Sequence, residues 1–126
     1  VTTAIMGIGS PFGKDQAGWD AVDQLAQQAW AQAAIEHGTL VLHKLDRPGM
    51  GLLEHLQRYA HVILVDAVIA PHYAPGMIIP LQREELALWE APASSHGFGV
   101  AEALAMGDAL GMLPERLEIW GVVVAD

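Results

Sequence analysis

His61-Val62-Ile63-Leu64-Val65-Asp66-Ala67-Val68 decides the fold, because its apolar positions are consecutive rather than alternating. A strand with one wet face alternates apolar and polar residues. A strand apolar at successive positions needs cover on both faces, as in a parallel sheet between two helix layers. Upstream, residues 2–8 read as a strand that runs into the loop Gly7-Ile8-Gly9-Ser10-Pro11. Residues 18–36 then read as a helix, with Val22, Leu25, Ala26, Ala29 and Ala33 recurring at three- and four-residue spacing on one face. His37-Gly38 supplies its stop. Residues 39–45 give a second strand, and residues 50–59 a short helix with Leu52, Leu53 and Leu56 inward.

Downstream of the central run, Pro75-Gly76 is a turn and residues 77–81 form a further strand. Pro80, which has no N–H to donate, assigns that strand to an edge. Ser94-Ser95-His96-Gly97 leads into a helix over 99–110, with Gly111 and Pro114 as its stop, and residues 117–124 close the sheet. Strand-like and helix-like segments thus alternate. The expected fold is single-domain α/β: three layers, with an open, twisted, mostly parallel sheet of about five strands and helices on both faces.

The 126 residues suit one domain, and 52% apolar against 17% charged content suits a packed core rather than a disordered chain. Six Lys and Arg against a net charge of −9 argue against binding to nucleic acid, since contact with phosphates needs a basic surface. Apolar runs such as 62–65 and 122–125 are strand-sized, far below the ~20 residues of a bilayer span, so no membrane partner is expected. No charged segment followed by an apolar one opens the sequence, and the expected location is cytoplasmic. With no cysteine, disulfides, zinc–thiolate sites and a cysteine nucleophile are excluded together.

In an open α/β sheet, ligands gather beyond the C-terminal ends of the strands. That rule selects Asp15 after the first strand, Asp46 after the second and Asp66 at the end of the third. A carboxylate ending an apolar strand must be paired, hydrogen-bonded or metal-bound; Asp66 can equally accept from backbone N–H groups of its own loop. His37, His43, His55, His61 and His72 read as surface or strand-end residues. His96 stands apart on a loop of small residues, Ser94, Ser95, Gly97 and Gly99, with room for close approach. One imidazole and two carboxylates would suit a borderline metal such as nickel or zinc. Other chemistries fit poorly. The third glycine of a G-x-G-x-x-G loop falls on Phe12, and there is no Walker A, H-E-x-x-H or G-x-S-x-G motif. Ser95 and His96 are adjacent in sequence and cannot readily face one another as nucleophile and base.

Gly7-Ile8-Gly9-Ser10-Pro11 with Asp15 and Gly18, Val62 through Ala67, Pro75-Gly76, and Ser94 through Gly99 occur in this order along the chain. Together with the closing 117–124 strand, they resemble the hydrogenase maturation endopeptidases nearly end to end. The resemblance implies an endopeptidase that removes the C-terminal extension of a nickel–iron hydrogenase large-subunit precursor after nickel insertion. Nickel would then be supplied by the precursor partner rather than held permanently. In that family two acids and one histidine are the proposed metal-contacting set. Asp66 and His96 match it by motif, and they are the implied catalytic residues together with Asp15. The first acid position falls on Asp15 if this loop is one residue shorter than the family's, which also aligns Gly18, and on Gln16 if it is not. Where relatives commonly carry Asp-Gly-Gly-Thr, thought to help hold the substrate, this chain has Asp46-Arg47-Pro48-Gly49-Met50. Asp46, Arg47 and Gly49 are thus candidate substrate-binding residues, or a simple strand-to-helix turn. The rival readings are a maturation chaperone that binds without cleaving, and a small nucleotide- or flavin-binding domain.

Overall fold

The computed structural model describes residues 1–11, 16–91 and 99–126. Among them, five strands form one sheet: β1 (Thr3–Gly9), β2 (Leu40–Asp46), β3 (His61–Val68), β4 (Ile78–Leu81) and β5 (Arg116–Val123), in the order β2-β1-β3-β5-β4. β1 pairs in parallel with β2 and β3, and β3 with β5, while β4 lies antiparallel on β5. The helices are α1 (Ala17–Ala26), α2 (Ala29–Glu36), α3 (Leu52–Leu56), α4 (Arg83–Trp89) and α5 (Val100–Ala109).

The central run behaves as its composition demands. Val62, Leu64 and Val68 join one core with Met6 and Ile8 of β1, Leu52 and Leu56 of α3, Leu86 of α4 and Leu104 of α5. Val65 points the other way, into a smaller core with Ile5, Val22 of α1 and Ala31 of α2. Both faces of β3 are therefore covered, and each buried aliphatic side chain contributes about 1.5–3 kcal/mol of transfer free energy.

Several elements differ from the expectation for physical reasons. The helix expected over 18–36 is two helices, broken where Gln28 turns extended (ψ 136°). A straight helix over that stretch would run about 28 Å, longer than the ~23 Å of a seven-residue strand. The break turns the chain back to the start of β2, and it also changes phase. Ala31 becomes the buried residue of α2, while Ala29 and Ala33 are exposed. The expected 50–59 helix is a 3-10 turn at Gly49–Gly51 followed by α3, which ends before Tyr59; Leu52, Leu53 and Leu56 face inward as read. α4 has no counterpart in the sequence reading. Its signal was a capping box, in which Glu85 Oε1 accepts from the Gln82 backbone N–H at 2.8 Å. With Leu86 as its only buried residue, α4 shows no period. The last strand in sequence does not close the sheet: β5 lies inside it, and β4, with Pro80, is the edge.

Candidate active site

The strand order reverses about β1, so the chain leaves β1 and β3 toward opposite faces, and their C-terminal ends form the switch point at which open α/β sheets bind ligands. α1 and α2 cover one face, while α3, α4 and α5 cover the other. Asp66 sits at this point, two residues before the end of β3 and beside Gly121 of β5. By strand alternation it shares the face of Leu64 and Val68. It is 7% exposed, a depth at which a carboxylate needs fixed partners. Oδ1 accepts from the Ala67 backbone N–H at 3.0 Å, so the carboxylate is oriented by its own strand end, as the sequence allowed.

Asp15 and His96 lie outside the described residues, but the flanks of both segments are held close to Asp66. On the first side, Ser10 is fully buried and Gln16 Nε2 donates to the Pro11 carbonyl at 2.7 Å. Two residues later, Gly18 rests directly on the sheet: a Cβ there would meet the Ile8 carbonyl oxygen and, at 2.8 Å, that of Val65. The glycine that anchored the motif match is thus the point where α1 touches β1 and β3.

On the other side, the chain returns from α4 antiparallel to the end of β3. Ile69 N–H donates to the Trp89 carbonyl at 2.7 Å and Ala91 N–H to the Ala67 carbonyl at 3.1 Å. Between them Glu90 turns its carboxylate to the start of α5, where Oε2 accepts from Val100 N–H at 2.7 Å and Oε1 from Ala101 N–H at 3.0 Å. Negative charge there satisfies orphan N–H groups and complements the helix dipole. One residue therefore fixes both ends of the segment that carries His96. Glu90 was not singled out from the sequence, because its role depends on a strand pairing that sequence does not display. Glu90→Ala is expected to lower stability by about 1–2 kcal/mol, read as a lower denaturant midpoint.

Asp46 is the last residue of β2 rather than the first after it, and it pairs with Gly9 across the rim. Its Oδ1 holds Arg47 Nε at 2.7 Å; both side chains are well exposed, so this pair contributes little to stability. Arg47 has a φ of 42°, a left-handed conformation that costs a non-glycine residue about 1 kcal/mol. Its backbone N–H donates to the Gly9 carbonyl at 2.9 Å, which locks the loop to the end of β1. The structure thus brings Asp46, Arg47, Gly49 and Asp66 to the same edge of the sheet.

Two histidines depart from the surface reading. His43 is in mid-β2 and His55 on α3; both are partly buried, and the His43 ring lies 6.1 Å from that of His55 and 5.8 Å from that of Tyr59.

A family model described as HycI, hydrogenase maturation protease, matches residues 47–126. That range includes the Asp66 and His96 motifs and begins after the Asp15 loop. The hydrogenase 2 maturation protease of Escherichia coli (strain K12) is 34% identical over 76 residues, 60% of this chain and 46% of that relative. The matched stretch thus spans less than half the length of the curated relative. Among solved structures, the hydrogenase maturating endopeptidase HybD from E. coli aligns over 98% of this chain and 74% of its own, with a TM-score of 0.69 and 24% identity. An endopeptidase from Escherichia coli, solved in solution, aligns over the same shares with a TM-score of 0.72 and 22% identity. At those identities the structural likeness establishes the fold, a five-stranded, mostly parallel sheet between helix layers. On the family model, which matches more than half its length, the chain belongs to the hydrogenase maturation protease family.

Proposed function

We propose that this chain is an endopeptidase that removes the C-terminal extension of a nickel–iron hydrogenase large-subunit precursor once nickel has been inserted. The observation that carries the reading is Asp66, a buried carboxylate at the sheet's switch point, with the flanks of two segments fastened beside it. In this proposal Asp15 and His96 on those segments join Asp66 as an incomplete set of oxygen and nitrogen donors. Such a set suits a borderline cation like nickel. The nickel belongs to the substrate, so its presence reports that the precursor is mature, and an empty precursor offers nothing to grip.

Cleavage adds water across a peptide bond. A site carboxylate can accept the proton of the attacking water, and the substrate's metal can polarise the scissile carbonyl. Asp46, Arg47 and Gly49, on the same rim, are proposed to hold the substrate peptide, with the exposed guanidinium of Arg47 offering donors to its backbone or carboxylates. Among the described residues no helix is long and apolar enough to cross a membrane, and the proposed setting is the cytoplasm.

The test is a mass measurement on precursor incubated with this protein, with and without nickel loading. Loss of the C-terminal tail from the loaded form alone is the expected result. An unchanged mass in both forms overturns proteolysis and supports a non-cleaving chaperone. Equal trimming of both forms overturns the metal recognition.

A further inference from the structure

The loop that carries Arg47 and Gly49 leaves the sheet at the end of β2, an edge strand that pairs with β1 alone among the described strands. One side of such a strand has no ladder, so its end needs a hold from elsewhere. α1 supplies it through two side chains at i and i+4, which lie on one face of the helix. Trp19 Nε1 donates to the Leu45 carbonyl at 3.0 Å, one residue before Asp46. Asp23 takes Lys44 Nζ at 3.1 Å on both carboxylate oxygens. The same ammonium lies 5.5 Å from the centre of the Trp19 ring, a cation–π contact.

These ties differ in weight. The Lys44–Asp23 pair is exposed and screened by solvent, so it fixes little. Trp19 is partly buried, and its indole N–H, which can only donate, is spent on that carbonyl. Trp19 also follows Gly18, whose close approach to Ile8 and Val65 sets α1 on the two central strands. The indole therefore reaches out from a backbone that cannot drift. By strand alternation Lys44 and Asp46 share with Leu42 the face of β2 that α1 covers, so Trp19 stands on the same side as the Asp46 carboxylate. The Arg47 N–H bond to Gly9 is the other tie at this end of the strand. Asp66 is oriented separately, by the Ala67 N–H.

We propose that Trp19 is a positioning residue for the substrate: its N–H fixes the end of β2 so that Asp46, Arg47 and Gly49 meet the precursor peptide in one arrangement. This inference rests on the proteolytic reading and on those three residues as the substrate's hold. Trp19 acts on binding rather than on bond cleavage. A loop ordered beforehand loses less freedom when the peptide arrives, and Asp66 keeps its own partner throughout.

Trp19→Phe tests this, because it keeps an aromatic face beside Lys44 and removes the donor. With nickel-loaded precursor, KM is expected to rise about three- to tenfold at unchanged kcat, the mark of lost uniform binding. The urea midpoint should stay near that of the wild-type chain. Trp30→Phe, which alters an exposed tryptophan of α2, should leave KM as it is. In an Arg47→Ala background, Trp19→Phe should raise KM by less than about twofold, since the hold it orders is already lost. Amide exchange at Arg47 should quicken in Trp19→Phe, while that of Ile69, tied to Trp89 across the rim, keeps its rate. Wild-type KM in Trp19→Phe, an equal fall in kcat, a large drop in midpoint or full additivity with Arg47→Ala overturns the inference and leaves proteolysis standing. A wild-type chain that binds loaded precursor without cutting it overturns proteolysis instead, and the same fold-change is then read in Kd. A chain that does neither overturns both.

Discussion

Replacing Asp66 with asparagine is expected to abolish removal of the precursor tail while leaving the fold in place. The two side chains have nearly the same shape, and an asparagine carbonyl oxygen can still accept from the Ala67 N–H, as Oδ1 does at 3.0 Å. The stability change should therefore stay near 1 kcal/mol, the scale of one hydrogen bond whose geometry is kept. In the proposed reaction, function depends on the charge instead. A neutral amide neither holds a cation as carboxylate does nor takes a proton from water, and losing a general base alone costs about 10²–10⁴ in rate. His96→Gln should act in the same direction. The measurement pairs a urea midpoint with the mass of nickel-loaded precursor. Wild-type processing by both variants would remove Asp66 and His96 from the mechanism, even if the chain itself proves to be a protease.

The second large effect is structural and falls on Gly18. A methyl group there would press against the carbonyl oxygens of Ile8 and Val65, backbone atoms of the two central strands that cannot rotate away as a side chain could. Gly7 is the reciprocal partner: a Cβ on it would lie 2.7 Å from the Gly18 carbonyl oxygen and 2.7 Å from Val22 Cγ2. Gly18→Ala must therefore lift the start of α1 from the sheet, at an expected cost of about 3 kcal/mol. The matched control is Gly51→Ala, where an added Cβ meets nothing within 4 Å and stability should hardly change. An equal denaturant midpoint for Gly18→Ala and wild type would show that the close approach carries no energy. The same lift would displace the loop just ahead of Gly18, so processing should fall along with stability.

The two predictions separate what the rim residues do. Asp66 is expected to be tolerant in shape and intolerant in charge. Gly18 is the reverse, because its contribution is the absence of atoms. Glu90 falls between them: its charge satisfies α5, and its place beside Val68 fixes where the segment bearing His96 begins and ends.

Much of the architecture was legible in the chain because it follows from local pattern. The β3 run declared its double burial through consecutive apolar residues, and Pro80 declared an edge by lacking a donor. Gly38 and Gly111 marked helix ends, with φ of 75° and 68° where a side chain would be strained. Strand-end logic placed Asp46 and Asp66 at the C-terminal ends of β2 and β3, where they lie, and motif order named the family.

What the sequence left open was whatever depends on elements meeting. The break at Gln28 follows from the length of strand the helix must match, which no residue of that helix encodes. β5 is interior because β4 pairs antiparallel with its outer edge, which the order of strands in the sequence does not reveal. The Glu90 clamp and the His43–His55–Tyr59 cluster join residues from separate elements whose separation in sequence has no period. Asp66 shows the division within a single residue. Sequence alone identified it as a carboxylate at the end of a buried strand. Only the tertiary structure held the flanks of two distant segments against that strand end, because backbone groups there must find partners wherever the packed layers bring them.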